Sequence, residues 1–185
     1  VRDGHEHDDL LGAIDWERTQ AYALGFGGIF LNQQGREAQG IVPAGPAAAT
    51  LKADIAAGLA AWVDAAGGRP VVRVYDRDQV YHGPYVEDAP DLVVGLRSGY
   101  RVAWKTVTGG VGPAVVAPNQ RPWSGDHNVD PTQVPGVLFG SQALHTEGCH
   151  LADVAPTVLD LLGVEPPAYM DGRSLASPPG PRSDR

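Results

Sequence analysis

Between Pro46 and Ala66, five large apolar residues recur on a helical period. Leu51, Ile55, Leu59, Trp62 and Val63 fall at i, i+4, i+8, i+11 and i+12 and form one stripe. Pro46 suits the first turn of a helix and Gly67-Gly68 supplies a stop. Such a stripe has to be buried against another layer, and the flanking text has a different period. Ala21–Asn32 is an apolar run with glycines at its centre, which predicts one buried strand with a bulge or close backbone approach. Val71–Tyr75 and Asp91–Leu96 are β-branched strands, and Tyr100–Trp104 and Ala114–Val116 are shorter strand candidates. Gly136–Gly140 predicts a further buried strand. Asp153–Gly163 predicts a closing helix, capped by Asp153 and ended by Gly163, with Val154, Val158, Leu161 and Leu162 as its buried face. Strands alternating with helices predict an α/β sandwich with a mostly parallel sheet flanked by helices. In such sheets ligands gather beyond the carboxyl ends of the strands.

Composition narrows the partners. A formal charge of −8, with no basic run, argues against a nucleic acid polymer or an anionic membrane surface. A lone cysteine, Cys149, excludes an intramolecular disulfide and a cysteine-rich zinc site. No stretch approaches the roughly 20 apolar residues of a membrane helix, and no signal-peptide pattern is present, so the compartment is left open. Residues 1–15 are dominated by charge and predict a mobile segment, with 16–175 as the α/β domain and 176–185 as a disordered tail. The start at Val1 suggests that further residues precede it.

The chemistry-bearing stretch is Trp123-Ser124-Gly125-Asp126-His127-Asn128-Val129-Asp130, followed by Pro131 and Pro135. It has no hydrophobic periodicity and reads as a loop. Loops that display His and Asp beside apolar strands commonly carry metal ligands or catalytic groups. The alternative is a polar turn in which Asp126 and Asn128 bond nearby amides. Other histidines read more blandly. His5 and His7 lie in the charged terminus, His82 in a polar turn, and His145 and His150 flank Cys149 without a fourth ligand. Ser124 has no traceable base partner, and Trp104 and Trp123 suit core packing as well as a cleft wall.

Three segments together resemble the C-terminal part of the type I phosphodiesterase/nucleotide pyrophosphatase branch of the alkaline phosphatase superfamily. They are IDWERTQAYALGFGGIFLNQQGREAQGIV, WSGDHNVDPTQVPGVLFGS and DVAPTVLDLLGVEPPAYMDGRSL. The resemblance implies an alkaline phosphatase-like sandwich of which this chain is the C-terminal portion. It also implies hydrolysis of a phosphate ester or nucleotide-like small molecule at a site of two zinc ions, or another divalent metal. His127 matches the family's metal-binding His in a Gly-x-His loop before a Pro-Gly-apolar strand. Asp126 and Asp130, with Trp123 and Ser124, would then orient the imidazole or hold the loop.

The departures matter as much. The family's N-terminal metal-binding Asp, its Thr or Ser nucleophile and its Asp-His-Gly motif have no counterpart in this sequence, and Lys105 stands where an acidic residue is frequent. One His cannot hold two metals about 3.5–4 Å apart for in-line displacement. The chain alone is therefore expected to be inactive, with apolar edges that favour a homo-oligomer. A non-catalytic scaffold or interaction module with the same fold is the alternative.

Overall fold

The computed structural model describes residues 14–24, 27–103, 106, 114–120, 122, 125 and 128–176, which fall into two compact units that divide between Val134 and Pro135. The expectations for residues 1–13 and 177–185 lie outside the described residues.

The first unit is built on a four-stranded sheet. Its strands are β1 (Ala21–Leu24), β2 (Gly28–Leu31), β3 (Val71–Asp76) and β4 (Leu92–Leu96), in the order β1-β2-β4-β3. Every neighbouring pair is antiparallel, which corrects the expected parallel sheet. The reason lies in what sits between the two strands joined by a helix. A strand–helix–strand connection does run from β2 through α1 (Pro46–Ala61) to β3, and it leaves those two strands pointing the same way. β4 is inserted between them, antiparallel to both, so this is a split unit. Alternation of strands and helices cannot reveal an insertion of that kind.

The apolar run at 21–32 is also not one strand. It folds back as the hairpin β1–β2, with Ala21 opposite Leu31 and Leu24 opposite Gly28. Gly27 takes φ 87, a left-handed conformation that glycine adopts without a steric penalty, and its carbonyl accepts from Val94 N–H at 2.9 Å. Gly27 thus sits in the turn and closely approaches β4.

Leu31, Val42 and Ala48 form the buried core, with Ala21, Ile41, Leu51 and Ile55 packed on it. The α1 stripe is half-buried at Leu51, Ile55 and Leu59 within the helix and at Trp62 just beyond it, and it fails only at Val63. The helix ends at Ala61, five residues early, and Val63 is exposed. Asp64 explains the early stop. Its carboxylate accepts from Ala66 N–H at 2.9 Å, Gly68 N–H at 2.7 Å and Tyr100 hydroxyl at 2.7 Å. Those bonds give the backbone an alternative to continuing the helix. A Cβ at Gly68 would lie 1.9 Å from the Tyr100 hydroxyl. Tyr100–Ala103 and Ala114–Val116 are not strands, and Trp104 lies outside the described residues.

The second unit holds α3 (Val154–Leu161), preceded by a 3-10 turn over Leu151–Asp153. (The four-residue helix Arg77–Val80 in the first unit is α2.) Asp153 sits at the expected cap position, yet its carboxylate bonds elsewhere, to the amides of His150 at 2.8 Å and Arg173 at 2.9 Å. Thr157 hydroxyl donates to the Asp153 carbonyl at 2.5 Å and accepts from Leu175 N–H at 2.9 Å. These bonds fold Arg173–Leu175 onto α3. The buried face is Pro156 and Thr157, while Val154, Val158, Leu161 and Leu162 are exposed, the reverse of the face expected from spacing. Gly136–Gly140 likewise forms no strand and leaves Val137 and Phe139 exposed. Periodicity marks an apolar face but not which side the molecule covers.

Candidate functional site

Of the loop residues proposed for chemistry, Trp123, Ser124, Asp126 and His127 lie outside the described residues. Asp130 is described and completely buried. It caps the 3-10 turn Pro131–Gln133, where Pro131 fits the first position because no amide is needed there. One carboxylate oxygen, Oδ1, accepts from Thr132 N–H at 2.9 Å and from Thr132 hydroxyl at 2.5 Å. The other, Oδ2, accepts from the Tyr75 hydroxyl on β3 at 2.9 Å. The backbone is held as well, since Asp130 N–H donates to Leu96 carbonyl at the end of β4 at 3.0 Å.

The sheet makes room for this carboxylate. A Cβ at Gly95 would stand 2.1 Å from Asp130 Oδ2, so the side chain lies directly against the β4 backbone. Burial by itself would push the Asp130 carboxyl up; bonds from Thr132 and Tyr75, with the Arg73 charge, outweigh it and hold the group below the usual carboxylate range. Burial, then the bond to Asp130, pushes the Tyr75 phenol up. Asp130 is therefore an anion fixed by hydrogen bonds from both the loop and the sheet. On the other side of His127 in sequence, Arg101 Nη1 donates to Gly125 carbonyl at 3.3 Å.

Tyr75, Gly95, Thr132 and Arg101 were not singled out from sequence. The Asp-Pro-Thr string is a legible cap signal. The Tyr75 bond spans 55 residues and has no local signature.

Arg36, Glu37 and Asp91 form a second polar cluster. Arg36 Nη1 and Nη2 meet the Asp91 carboxylate at 2.8 and 2.6 Å, and Leu31 N–H donates to Asp91 Oδ2 at 2.7 Å. Arg36 Nη2 also reaches Leu31 carbonyl at 2.7 Å. The cluster ties β2 to the start of β4 and is fully used in doing so. Beside it a cavity of about 200 Å³ is lined by Trp16, Tyr22, Asn32, Glu37, Ala38 and Gln39, below the roughly 300 Å³ at which small-molecule pockets begin.

Among the described residues, no group of three or more His, Cys, Asp or Glu is arranged to hold a metal, and His145, Cys149 and His150 do not gather into one. Cys149 is exposed. The His150 amide and carbonyl serve the Leu151–Asp153 turn. Neutral imidazole suits zinc, so His127 is a donor of the right kind, while the described residues supply no companion set. Also among the described residues, no helix is long and apolar enough to cross a membrane.

The chain is thus an α/β protein with a small antiparallel sheet, and its curated relatives belong to the alkaline phosphatase-like superfamily. Those relatives are 2,3-bisphosphoglycerate-independent phosphoglycerate mutases. The one from Listeria monocytogenes serotype 4b (strain F2365) is 55% identical over 42 residues, 23% of this chain and 8% of the mutase. The mutase of Pseudomonas aeruginosa (strain UCBPP-PA14) is 50% identical over 52 residues, 28% of this chain and 10% of the mutase. That of Picosynechococcus sp. (strain ATCC 27264 / PCC 7002 / PR-6) is 38% identical over 71 residues, 32% of this chain and 13% of the mutase. The matches are therefore local, covering about a tenth of each mutase. No protein-family profile matches the chain, and no solved structure matches it.

Proposed function

We propose that this chain is the C-terminal portion of a metal-dependent enzyme acting on phosphate esters, and that His127 is one of its metal ligands. The observation that carries this reading is the fixing of Asp130, three residues after His127, in a bed of hydrogen bonds from β3, β4 and Thr132. The local likeness to phosphoglycerate mutases supports phosphoryl chemistry in general. The Trp-Ser-Gly-Asp-His string and the closing segment favour the phosphodiesterase/nucleotide pyrophosphatase type, with zinc at the complete site. A bound metal would supply Lewis-acid stabilisation of the charge that develops on a phosphoryl oxygen. This chain's part is to present one imidazole and hold its loop; the nucleophile and the other ligands would come from elsewhere in the complete enzyme.

In the intact enzyme, His127→Ala should lower metal occupancy and turnover together, each by tenfold or more. Unchanged turnover would remove His127 from the site. The isolated chain should bind zinc weakly and show no phosphodiesterase turnover. A sub-micromolar two-zinc isotherm for the chain alone would contradict the division of labour proposed here.

A further inference from the structure

We infer that the cavity beside the β1–β2 hairpin is a binding site for a guanidinium group, with Asn32 Oδ1 as its acceptor and Trp16 and Tyr22 as its aromatic walls. The cavity holds about 200 Å³, and Glu37, Ala38 and Gln39 complete its lining. That is too small for a whole cofactor and suits one functional group on a short stem. Asn32 directly follows β2 and is 1% exposed. Its main-chain N–H donates to Gln20 carbonyl at 2.8 Å, and its carbonyl accepts from the Ile41 and Val42 amides at 2.8 and 2.9 Å. Nδ2 donates to Trp16 carbonyl at 3.1 Å and to Thr19 carbonyl at 2.9 Å, which uses both of its hydrogens. Oδ1 is the polar atom that remains, and it has no donor among the described residues. Buried acceptors are normally paired, so a donor entering the cavity completes this residue.

Charge selects the ligand. Glu37 pairs with Arg36 at 3.1 Å, but Arg36 also meets Asp91 at 2.6 Å, so two carboxylates share one guanidinium. Arg77, 3.9 Å from Asp91, brings two more carboxylates with it, Asp78 and Glu87, each at 3.2 Å. The surroundings are therefore negative on balance. Burial, then the Glu37 charge, pushes the Tyr22 phenol up, the response of a hydroxyl in such a field. Trp16 and Tyr22 meet edge to face, with ring centroids 5.3 Å apart and planes at 87°. An organic cation gains from an aromatic face. Guanidinium has a flat face that stacks and in-plane N–H donors that can reach Asn32 Oδ1, and it is weakly hydrated, so leaving water costs it less than an ammonium. The group can belong to a small molecule or to an arginine side chain of a partner.

The test titrates the 185-residue chain with millimolar methylguanidinium chloride at constant ionic strength and follows it by NMR. The Asn32 side-chain amide and the Tyr22 main-chain amide should shift and saturate, while Val74 on the far edge strand stays unmoved. Glu37→Gln removes the charge and keeps the shape, and it should raise the midpoint by about threefold or more. Trp16→Leu removes one aromatic wall and should raise it by about threefold or more as well. Tetramethylammonium, a cation with no N–H, should bind more weakly by about threefold or more; equal binding overturns the acceptor role of Asn32. A blocked Gly-Gly-Arg-Gly-Gly peptide that saturates the same shifts at lower concentration than methylguanidinium supports the site with a partner's arginine as occupant, and one that needs a higher concentration supports it with a small molecule. Shifts that are absent or do not saturate overturn the inference and leave water as the occupant. A midpoint unmoved in folded Glu37→Gln overturns it too, and that variant decides by itself if Trp16→Leu loses its amide dispersion and does not fold.

Discussion

Arg36 and Asp91, 55 residues apart in the chain, meet through two bonds of 2.8 and 2.6 Å, and the same carboxylate accepts the Leu31 amide. Removing one partner of such a pair leaves the other charge without compensation. Asp91→Ala should destabilise the first unit by about 3 kcal/mol, the low end of the range for buried pairs, because the Arg36 side chain keeps 21% of its surface exposed. A loss of less than about 0.6 kcal/mol in urea unfolding would show the pair to be dispensable.

Acid should act through the same group. Burial alone would raise the Asp91 carboxyl, but the bonds from Arg36 and Leu31 and the nearby charges hold it below its ordinary value, and Asp130 behaves alike. A depressed carboxyl contributes stability that is fully present above its unfolded pKa, about 4, and is lost as pH falls through its folded value. Stability of the first unit should be level from about pH 5 upward and decline below about 4. Asp130→Asn should flatten that decline in a pH series of denaturation midpoints; an identical slope would rule the residue out as a contributor.

Gly95→Ala should cost about 1–3 kcal/mol, the usual range for overpacking. The glycine is not in a left-handed conformation, so backbone strain is not the cause. The added methyl meets Asp130 Oδ2 at 2.1 Å and must displace it. Relief of the defect in Gly95→Ala/Asp130→Ser would identify the collision as the cause, since serine lacks the carboxylate.

In the second unit Thr157 bridges the Asp153 carbonyl and the Leu175 amide. Valine keeps the shape and removes both bonds. Thr157→Val should therefore lose about 1–3 kcal/mol, because a buried amide is left without an acceptor. Faster exchange at Leu175 N–H, with the first unit unaffected, is the expected signature.

Val137 and Phe139 stand 83% and 91% exposed, and the apolar stripe of α3 is exposed as well. Apolar surface of this kind drives association. The chain should self-associate as concentration rises, and Phe139→Asp should reduce it. A monodisperse monomer by light scattering at high concentration would speak against this.

Much of the first unit was legible because its signals are local. The α1 stripe, its Pro46 start, β3 and β4 each follow from residues within a few positions of one another. The stretch at 123–130 was singled out for a different reason, since it concentrates ligand-type side chains where periodicity stops, and of its candidate site residues only Asp130 is among the described residues. The sequence by itself therefore determined the α/β character and most of the elements of the first unit. Tertiary structure alone decided the rest. It inserted β4 between the two strands linked by α1, turned the 21–32 run into a hairpin and chose which face of α3 is covered. It also gave Asp130 its partner Tyr75. Strand order, the covered face and long-range hydrogen bonds depend on which distant surfaces meet, and a local pattern carries no record of its partner.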